Sequence, residues 1–282
     1  PPIISKTLTN ILVTGSSGFI GNRVVLELLK YPDVNVITLQ RNATSHLANN
    51  KRVVSITGDI CSDLELPRSL SLDLIYHFAA TGVSPRIASW DELINVNVNG
   101  TLNLLKACVD YGVNRFVFSS SSSVYGDAEE VPTSENCKLN PMSPYAIHKL
   151  IGEQYCKLYS ELYGLETVSL RYFNVYGDRQ PTSGAYCLVM GIFAGQMLKG
   201  APMTIRGDGE QRRDFTYVDD VVDANIKCMD YPLELNGDVF NIGNGNNLSV
   251  NNIADMMGGS RVHVKPVTEP RETLANYDKA NK

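Results

Sequence analysis

The chain has 282 residues, 43% of them hydrophobic and 20% charged, enough for one large unit with a lobe and too apolar for a disordered chain. Its net charge of -5 supplies no field that would gather a polyanion, so neither nucleic acid nor an anionic membrane is an expected partner, and an anionic substrate requires local arginines. Cys61, Cys108, Cys137, Cys156, Cys187 and Cys228 form no CxxC pair, and the most apolar stretch, residues 187–198, is shorter than the roughly 18 residues of a membrane span. With no charged-then-apolar signal at its start, the expected setting is cytoplasmic, with reduced thiols.

Short β-branched runs at 11–13, 34–39, 53–57, 72–78, 115–119, 167–170 and 239–242 predict strands, several of them apolar throughout as strands covered on both faces are. Between them, Ile20, Val24, Val25, Leu28 and Leu29 make one apolar stripe, and Val98, Leu102, Leu105 and Val109 another, at the spacing of crossover helices. Strands alternating with helices predict an α/β fold with a doubly wound parallel sheet. From about Phe173 the alternation breaks into Gly- and Pro-rich segments such as 177–184 and 207–209, which predicts a smaller, irregular C-terminal lobe.

Between the first strand and the first helical stripe lies Gly15-Ser16-Ser17-Gly18-Phe19-Ile20-Gly21. Glycines there permit a tight turn and close approach of the backbone to a pyrophosphate facing the helix N-terminus, which makes the fold Rossmann-type. A carboxylate usually meets a free ribose 2'-hydroxyl at the end of the next strand, but this chain offers Gln40 and Arg41. Gln40 suits a hydroxyl and Arg41 a 2'-phosphate, so NAD is the expected cofactor with NADP still open. Asp59 and Ile60 after the third strand are candidates beside the adenine. On this reading residues 1–172 form a dinucleotide-binding domain, with a contribution from about 214–242, and residues 173–282 mainly a substrate-binding lobe.

Tyr145 and Lys149 follow Ser143-Pro144, an N-cap and a first-turn proline, and share a helix face. A tyrosine that takes a proton from a hydroxyl group needs its pKa brought down from about 10, and a nearby lysine and an oxidised nicotinamide both favour the phenolate. The five serines at 119–123 follow a strand, and one of them suits holding the reacting oxygen. No metal site is expected.

The segments Gly15-x-x-Gly18-x-x-Gly21, His77-Phe78-Ala79-Ala80, Asn97-Val98-Asn99-Gly100-Thr101, Ser119 to Gly126, Tyr145-x-x-x-Lys149, Arg171 to Gly177 and Gly207-Asp208-Gly209-x-Gln211-x-Arg213-Asp214-Phe215 stand in the order seen in extended short-chain dehydrogenases. Over nearly the whole chain the sequence resembles the nucleotide-sugar epimerase/dehydratase family, and within it the UDP-glucose and UDP-N-acetylglucosamine 4-epimerases most. The resemblance implies Ser121 as the catalytic hydroxyl, Tyr145 as the acid/base and Lys149 as its partner, which also binds the nicotinamide ribose. It implies Phe78, Ala79, Ala80, Asn97, Ser119, Tyr172 and Phe173 around the cofactor. On the substrate side it implies Thr81, Ser122 and Ser123 near the sugar, with Asn174 and Arg213 on the diphosphate. The bland alternative for Arg213 is a surface salt bridge with Asp214.

Dehydratases of the family usually carry Asp-Glu after the catalytic residue and decarboxylases a Glu before the valine; here Ser122 and Ser123 take those places. Epimerisation at carbon 4 of a UDP-hexose or UDP-N-acetylhexosamine needs neither, so it is the expected activity. The alternatives are a decarboxylase, dehydratase or reductase acting on another nucleotide sugar, or a non-catalytic NAD(P)-binding sensor. The segment 266–273 lacks the second arginine that relatives carry, for which Arg271 is a candidate substitute. Thr273 lies near a position that limits the sugar's carbon-2 group, and its small size points to an N-acetyl group. The resemblance also implies a homodimer through the helices of 97–109 and 145–159, and relatives continue with a further helical segment beyond Lys282.

Overall fold

A strand whose side chains are apolar on both faces is stable only when helices cover it on both sides, and the seven predicted runs assemble in that way. In the computed structural model, which describes residues 8–42, 50–62, 64, 66–67, 70–82, 89–184 and 187–281, the chain opens with β1 (Thr9–Thr14), α1 (Phe19–Leu28), β2 (Val34–Gln40), β3 (Val53–Thr57) and β4 (Leu74–His77). Helix α2 (Trp90–Ile94) runs through a π-helical turn (Asn95–Asn99) into α3 (Gly100–Tyr111), followed by β5 (Arg115–Ser121), a 3-10 turn (Ser122–Tyr125) and α4 (Pro144–Tyr163). Then come β6 (Glu166–Tyr172), β7 (Asn174–Tyr176), α5 (Val189–Leu198), β8 (Met203–Arg206) and β9 (Arg212–Tyr217). The chain closes with α6 (Val218–Asp230), β10 (Asn236–Ile242), β11 (Asn247–Ser249), α7 (Val250–Met257) and β12 (Arg261–Val264).

The main sheet is parallel throughout, in the order β10-β6-β5-β4-β1-β2-β3. Strand order reverses between β1 and β4, and the carboxyl ends of strands at such a reversal leave a crevice. One core lies on the face covered by α1 and α6, with Val24, Val25, Val221 and Met229 against Ile11, Val13 and Val117. The other lies under α3 and α4, with Leu104, Leu105, Cys108 and Cys156 against Leu12, Ile75, Phe116 and Phe118. Strand β10 comes late in the chain, yet it pairs with β6 in the main sheet.

After Tyr172 the chain leaves the main sheet, and β7 pairs with β9 in a three-stranded sheet, β11-β9-β7, beside the pair β12-β8. Its small core contains Phe193, Met203, Ile205, Phe215 and Ile253. Fully buried Asp214 holds this part together by accepting from the backbone N–H groups of Asn244 (2.8 Å), Gly245 (3.0 Å) and Ala275 (3.0 Å).

The first apolar stripe packs as predicted. The second is rotated: α3 buries Gly100, Thr101, Leu104, Leu105 and Cys108, whereas Val109 is 40% exposed. The buried face of α3 runs through Gly100 and Thr101, which a count of large apolar residues passes over, and the π-helical turn before it puts Val98 out of step as well. Among the described residues, no helix is long and apolar enough to cross a membrane.

Helix α4 approaches β5 closely because Gly152 faces Phe118, whose ring would lie 2.3 Å from a Cβ at that position. Gly152→Val is expected to lower stability by about 1–3 kcal/mol through overpacking, read as a lower urea midpoint with an unchanged slope. A wild-type midpoint would mean that the helix can stand off the sheet at no cost.

Candidate active site

The crevice begins at the loop after β1. Gly15 has φ +67°, and a Cβ there would lie 2.7 Å from the Ala79 nitrogen; a Cβ at Gly21 would lie 2.4 Å from the Gly15 carbonyl oxygen. Both positions therefore require glycine. Gly18 is extended at the N-cap of α1, with no side chain capping the helix and no acidic residue in its first turn, which leaves the end open to an anion. Phe19 and Ile20 are half-buried against the core. At the end of β2, the Nε2 of Gln40 is buried without a partner and Arg41 is exposed.

Residues 78–81 wall the crevice after β4, and a chain of hydrogen bonds fixes them. Thr101 Oγ1 donates to the Asn97 carbonyl at 2.8 Å, so His77 Nε2 must donate to Thr101 at 3.0 Å. His77 Nδ1 then accepts from Thr14 Oγ1 at 2.8 Å, and Thr14 accepts from the Ala79 N–H at 3.2 Å. That pattern requires a neutral imidazole with its proton on Nε2. Burial and, second, the charge of Lys149 hold its pKa down to about 3.

Along this wall three further candidates, Asn97, Asp59 and Ile60, also have contacts within the protein. Asn97 spends its amide on Thr81, accepting from its N–H at 2.7 Å and donating to its carbonyl at 2.8 Å; it shapes the loop, because the π-helical turn aims it there. Ile60 packs under Gly100, in the core. Asp59 accepts from the Cys61 N–H at 2.9 Å, as a turn aspartate does. Phe78 stacks on Tyr76 with ring centroids 6.0 Å apart, and Ala79 and Ala80 are half-buried.

Opposite this wall, β5 extends to Ser121, so three of the five serines belong to the strand and alternate in direction. Ser120 donates to buried Glu153, while Ser119 bonds Tyr172 and Ser121 bonds Tyr145 through their side chains. Ser121 also accepts from the Ser123 N–H at 3.2 Å, which caps the 3-10 turn. Ser122 and Ser123 are half-buried, and the Ser123 hydroxyl is without a partner. Ser143 accepts from the Ala146 N–H at 3.1 Å, starting α4 so that Tyr145 reaches Ser121. One turn on, Lys149 Nζ donates to the Ser119 carbonyl at 2.6 Å and lies 5.6 Å from the centre of the Tyr145 ring.

Lys149 and an oxidised nicotinamide are together expected to favour the phenolate; within the protein itself burial dominates. Burial pushes Tyr145 up to about 12, against a smaller lowering by the Ser121 hydrogen bond. Burial likewise draws Lys149 down to about 8, opposed by Glu153. Tyr172 is buried with its hydroxyl on Asn225 at 3.1 Å, and Phe173 packs against Tyr125, 6.4 Å between centroids.

Asn174 is half-buried at the start of β7, on the seam between the two sheets. Arg213 pairs with Glu269 at 2.6 Å and not with Asp214, since neighbours on a strand point to opposite faces. Arg271 is exposed and makes two bonds to Asp208, at 2.9 and 3.1 Å. Thr273 is tied to β9, donating its N–H to the Arg212 carbonyl at 3.1 Å. The sequence reading missed Glu153 and Glu269. The spacing of Glu153, four residues beyond Lys149 on the same helix face, was a usable signal; nothing local marks Glu269.

The family model described as "NAD dependent epimerase/dehydratase family" matches residues 11–243. A putative UDP-glucose 4-epimerase of Methanocaldococcus jannaschii is 38% identical, over 88% of this chain and 81% of that protein. The UDP-N-acetylglucosamine 4-epimerase of Methanobrevibacter ruminantium M1, solved with UDP-N-acetylmuramic acid, superposes with a TM-score of 0.88 at 30% identity, covering 98% of this chain and 92% of that one. The UDP-glucuronic acid 4-epimerase of Bacillus cereus, solved with UDP-glucuronic acid and NAD, gives 0.87 at 32% identity, covering 97% and 92%.

Because the folded state holds His77 neutral while the unfolded chain protonates it below its ordinary pKa near 6.5, stability falls as pH drops from there toward 3. This one group contributes up to about 1.4 kcal/mol per pH unit. Between about pH 7 and pH 5, wild type is expected to lose more unfolding free energy in urea than His77→Gln does. Identical losses would show that the imidazole is protonated in the fold.

Proposed function

The chain belongs to the NAD dependent epimerase/dehydratase family, and from that premise we propose that it inverts carbon 4 of a UDP-hexose or UDP-N-acetylhexosamine through a transient 4-keto sugar. The observation that carries this reading is the grouping of Ser121, Tyr145 and Lys149 at the carboxyl end of β5, across the strand reversal from the glycine loop. Residues of the main sheet, including β10, serve the dinucleotide, and the lobe beyond Phe173 serves the substrate.

The residues present fit NAD. The Gly15 loop lets the backbone turn beneath a pyrophosphate at the uncapped start of α1. Gln40 brings a buried, unpartnered amide to the place where a ribose hydroxyl is met, and this favours NAD over NADP. Phe78, Ala79, Ala80, Ser119 and Tyr172 line the cleft, and Lys149 serves both the nicotinamide ribose and the charge balance. When bound there, NAD would supply a reversible hydride acceptor for carbon 4 and, in its oxidised form, a positive charge favouring the phenolate.

Tyr145 takes the proton of the sugar's 4-hydroxyl and later gives it back. Ser121, already hydrogen-bonded to that phenol and oriented by the Ser123 N–H, steadies the oxygen. Arg213 and Asn174 hold the diphosphate while the flat keto sugar turns its other face to the cofactor, and Thr81, Ser122 and Ser123 border the sugar. Dehydration or decarboxylation calls for a further acid or base, and Ser122 and Ser123 carry no carboxyl. The buried carboxylate of Glu153 is consumed by Arg171 and Ser120. The enzyme acts in the cytoplasm, where its six unpaired cysteines stay reduced.

It acts as a homodimer through the outer faces of α3 and α4, where Val109, Ile147, Leu158 and Leu162 are 40 to 63% exposed. Light scattering is expected to give twice the chain mass; the mass of one chain overturns the dimer.

Incubation with UDP-glucose, UDP-N-acetylglucosamine and UDP-glucuronate, without added cofactor, is expected to yield 4-epimers alone. Carbon dioxide or a dehydrated sugar would overturn the reading. Tyr145→Phe is expected to fold normally and lose roughly 10²- to 10⁴-fold in kcat, and wild-type turnover by that variant would remove Tyr145 from the chemistry.

A further inference from the structure

Arg213 projects from β9 with its side chain only 10% exposed. Its pKa is lowered, chiefly by burial. A guanidinium drawn out of water calls for an anion, and the protein supplies one. Nη2 of Arg213 donates to Glu269 Oε2 at 2.6 Å while Nη1 donates to the Arg212 carbonyl at 2.8 Å. The other carboxylate oxygen of Glu269 accepts from Gln211 Nε2 at 3.3 Å. One acidic group thus lays an oxygen on each of two neighbouring donors, as a phosphate would.

Glu269 sits on a segment fastened on either side of it. Before it, the Val264 carbonyl accepts from the Gly207 N–H at 3.0 Å; after it, the Arg271 carbonyl accepts from the Arg212 N–H at 2.9 Å, and the Arg271 guanidinium grips Asp208. Between these fastenings the Glu269 side chain is 34% exposed, so its carboxylate has water to turn into without moving the segment. Asp127 adds a second negative charge acting on Arg213.

We propose that Glu269 sets the affinity of the site for its substrate by serving as an internal counter-ion of Arg213, which a phosphate oxygen must displace. Glu269 has this role only if Arg213 is the diphosphate ligand, as proposed above. Its charge neutralises the arginine and repels the diphosphate, so the site binds its substrate less tightly than the arginine alone would allow. Arg271 is paired with Asp208 at the surface.

Uridine diphosphate is titrated calorimetrically into the holoprotein as purified, in wild type, Glu269→Gln and Glu269→Ala, with KM for the UDP-sugar measured alongside. Glu269→Gln keeps the shape and one acceptor oxygen and loses the charge, with an NH2 donor in place of the second oxygen. Both variants are expected to bind UDP about tenfold more tightly, or about 1.4 kcal/mol, with KM falling in step. A purely structural Glu269 would give the opposite sign. If wild type binds UDP and turns over the UDP-sugar while the variants bind no more tightly, the role of Glu269 is overturned and the reading of the site stands. If none of the three binds UDP, both are overturned.

Discussion

The site is organised around one buried ion pair, Glu153 on α4 and Arg171 on β6, whose side chains are 2% and 4% exposed. Two charges out of water cost several kcal/mol each unless every donor and acceptor is matched, and here they are. Glu153 accepts from Ser120 and twice from Arg171; Arg171 also donates to the Tyr125 hydroxyl at 2.8 Å, which donates to Asn241 at 2.6 Å. Asn241 in turn donates to the carbonyls of Thr133 and Asn276. Because a naked charge at either end is so costly, the network fixes the rotation of α4 about its axis. Tyr145 and Lys149, eight and four residues before Glu153, are thereby aimed at the crevice.

The electrostatics follow from that rigidity. Lys149 and His77 occupy the same buried region, and the protein keeps them from both being charged by giving the imidazole two threonine partners that suit only its neutral form. The phenol is kept protonated by burial, against a smaller lowering by Ser121.

All seven strands of the main sheet were legible in the sequence, the five inner ones because a strand buried on both faces carries an apolar run that no surface requirement dilutes, and the more exposed edge strands β3 and β10 by their shorter β-branched runs. The glycine loop and the Ser143-Pro144 start of α4 were legible because each is a local backbone device with its own residue chemistry. The face of α3 was misread because it buries Gly100 and Thr101, which carry no apolar signal. The bracing of the Thr81 loop by Asn97 was not legible, because an asparagine at a cleft mouth looks the same in sequence whether or not it also holds a loop. The pairing of Glu269 with Arg213 spans 56 residues and involves two ordinary surface-type residues. Only the folded chain brings them together.

The late return of β10 to the main sheet has a consequence for biosynthesis. Asn241, on the edge strand β10, closes the network that braces α4, and it receives the Tyr125 hydroxyl across 116 positions of sequence. A nascent chain that has emerged only as far as β6 carries the serines, the phenol and the lysine, but exposes the unpaired edge of β6 and leaves the brace open. Contacts of such long loop span form slowly, and this one cannot form before residue 241 has been synthesised, so the brace on α4 closes well after the helix itself is made. Until then the bare strand edge is the part of the molecule with most need of a chaperone.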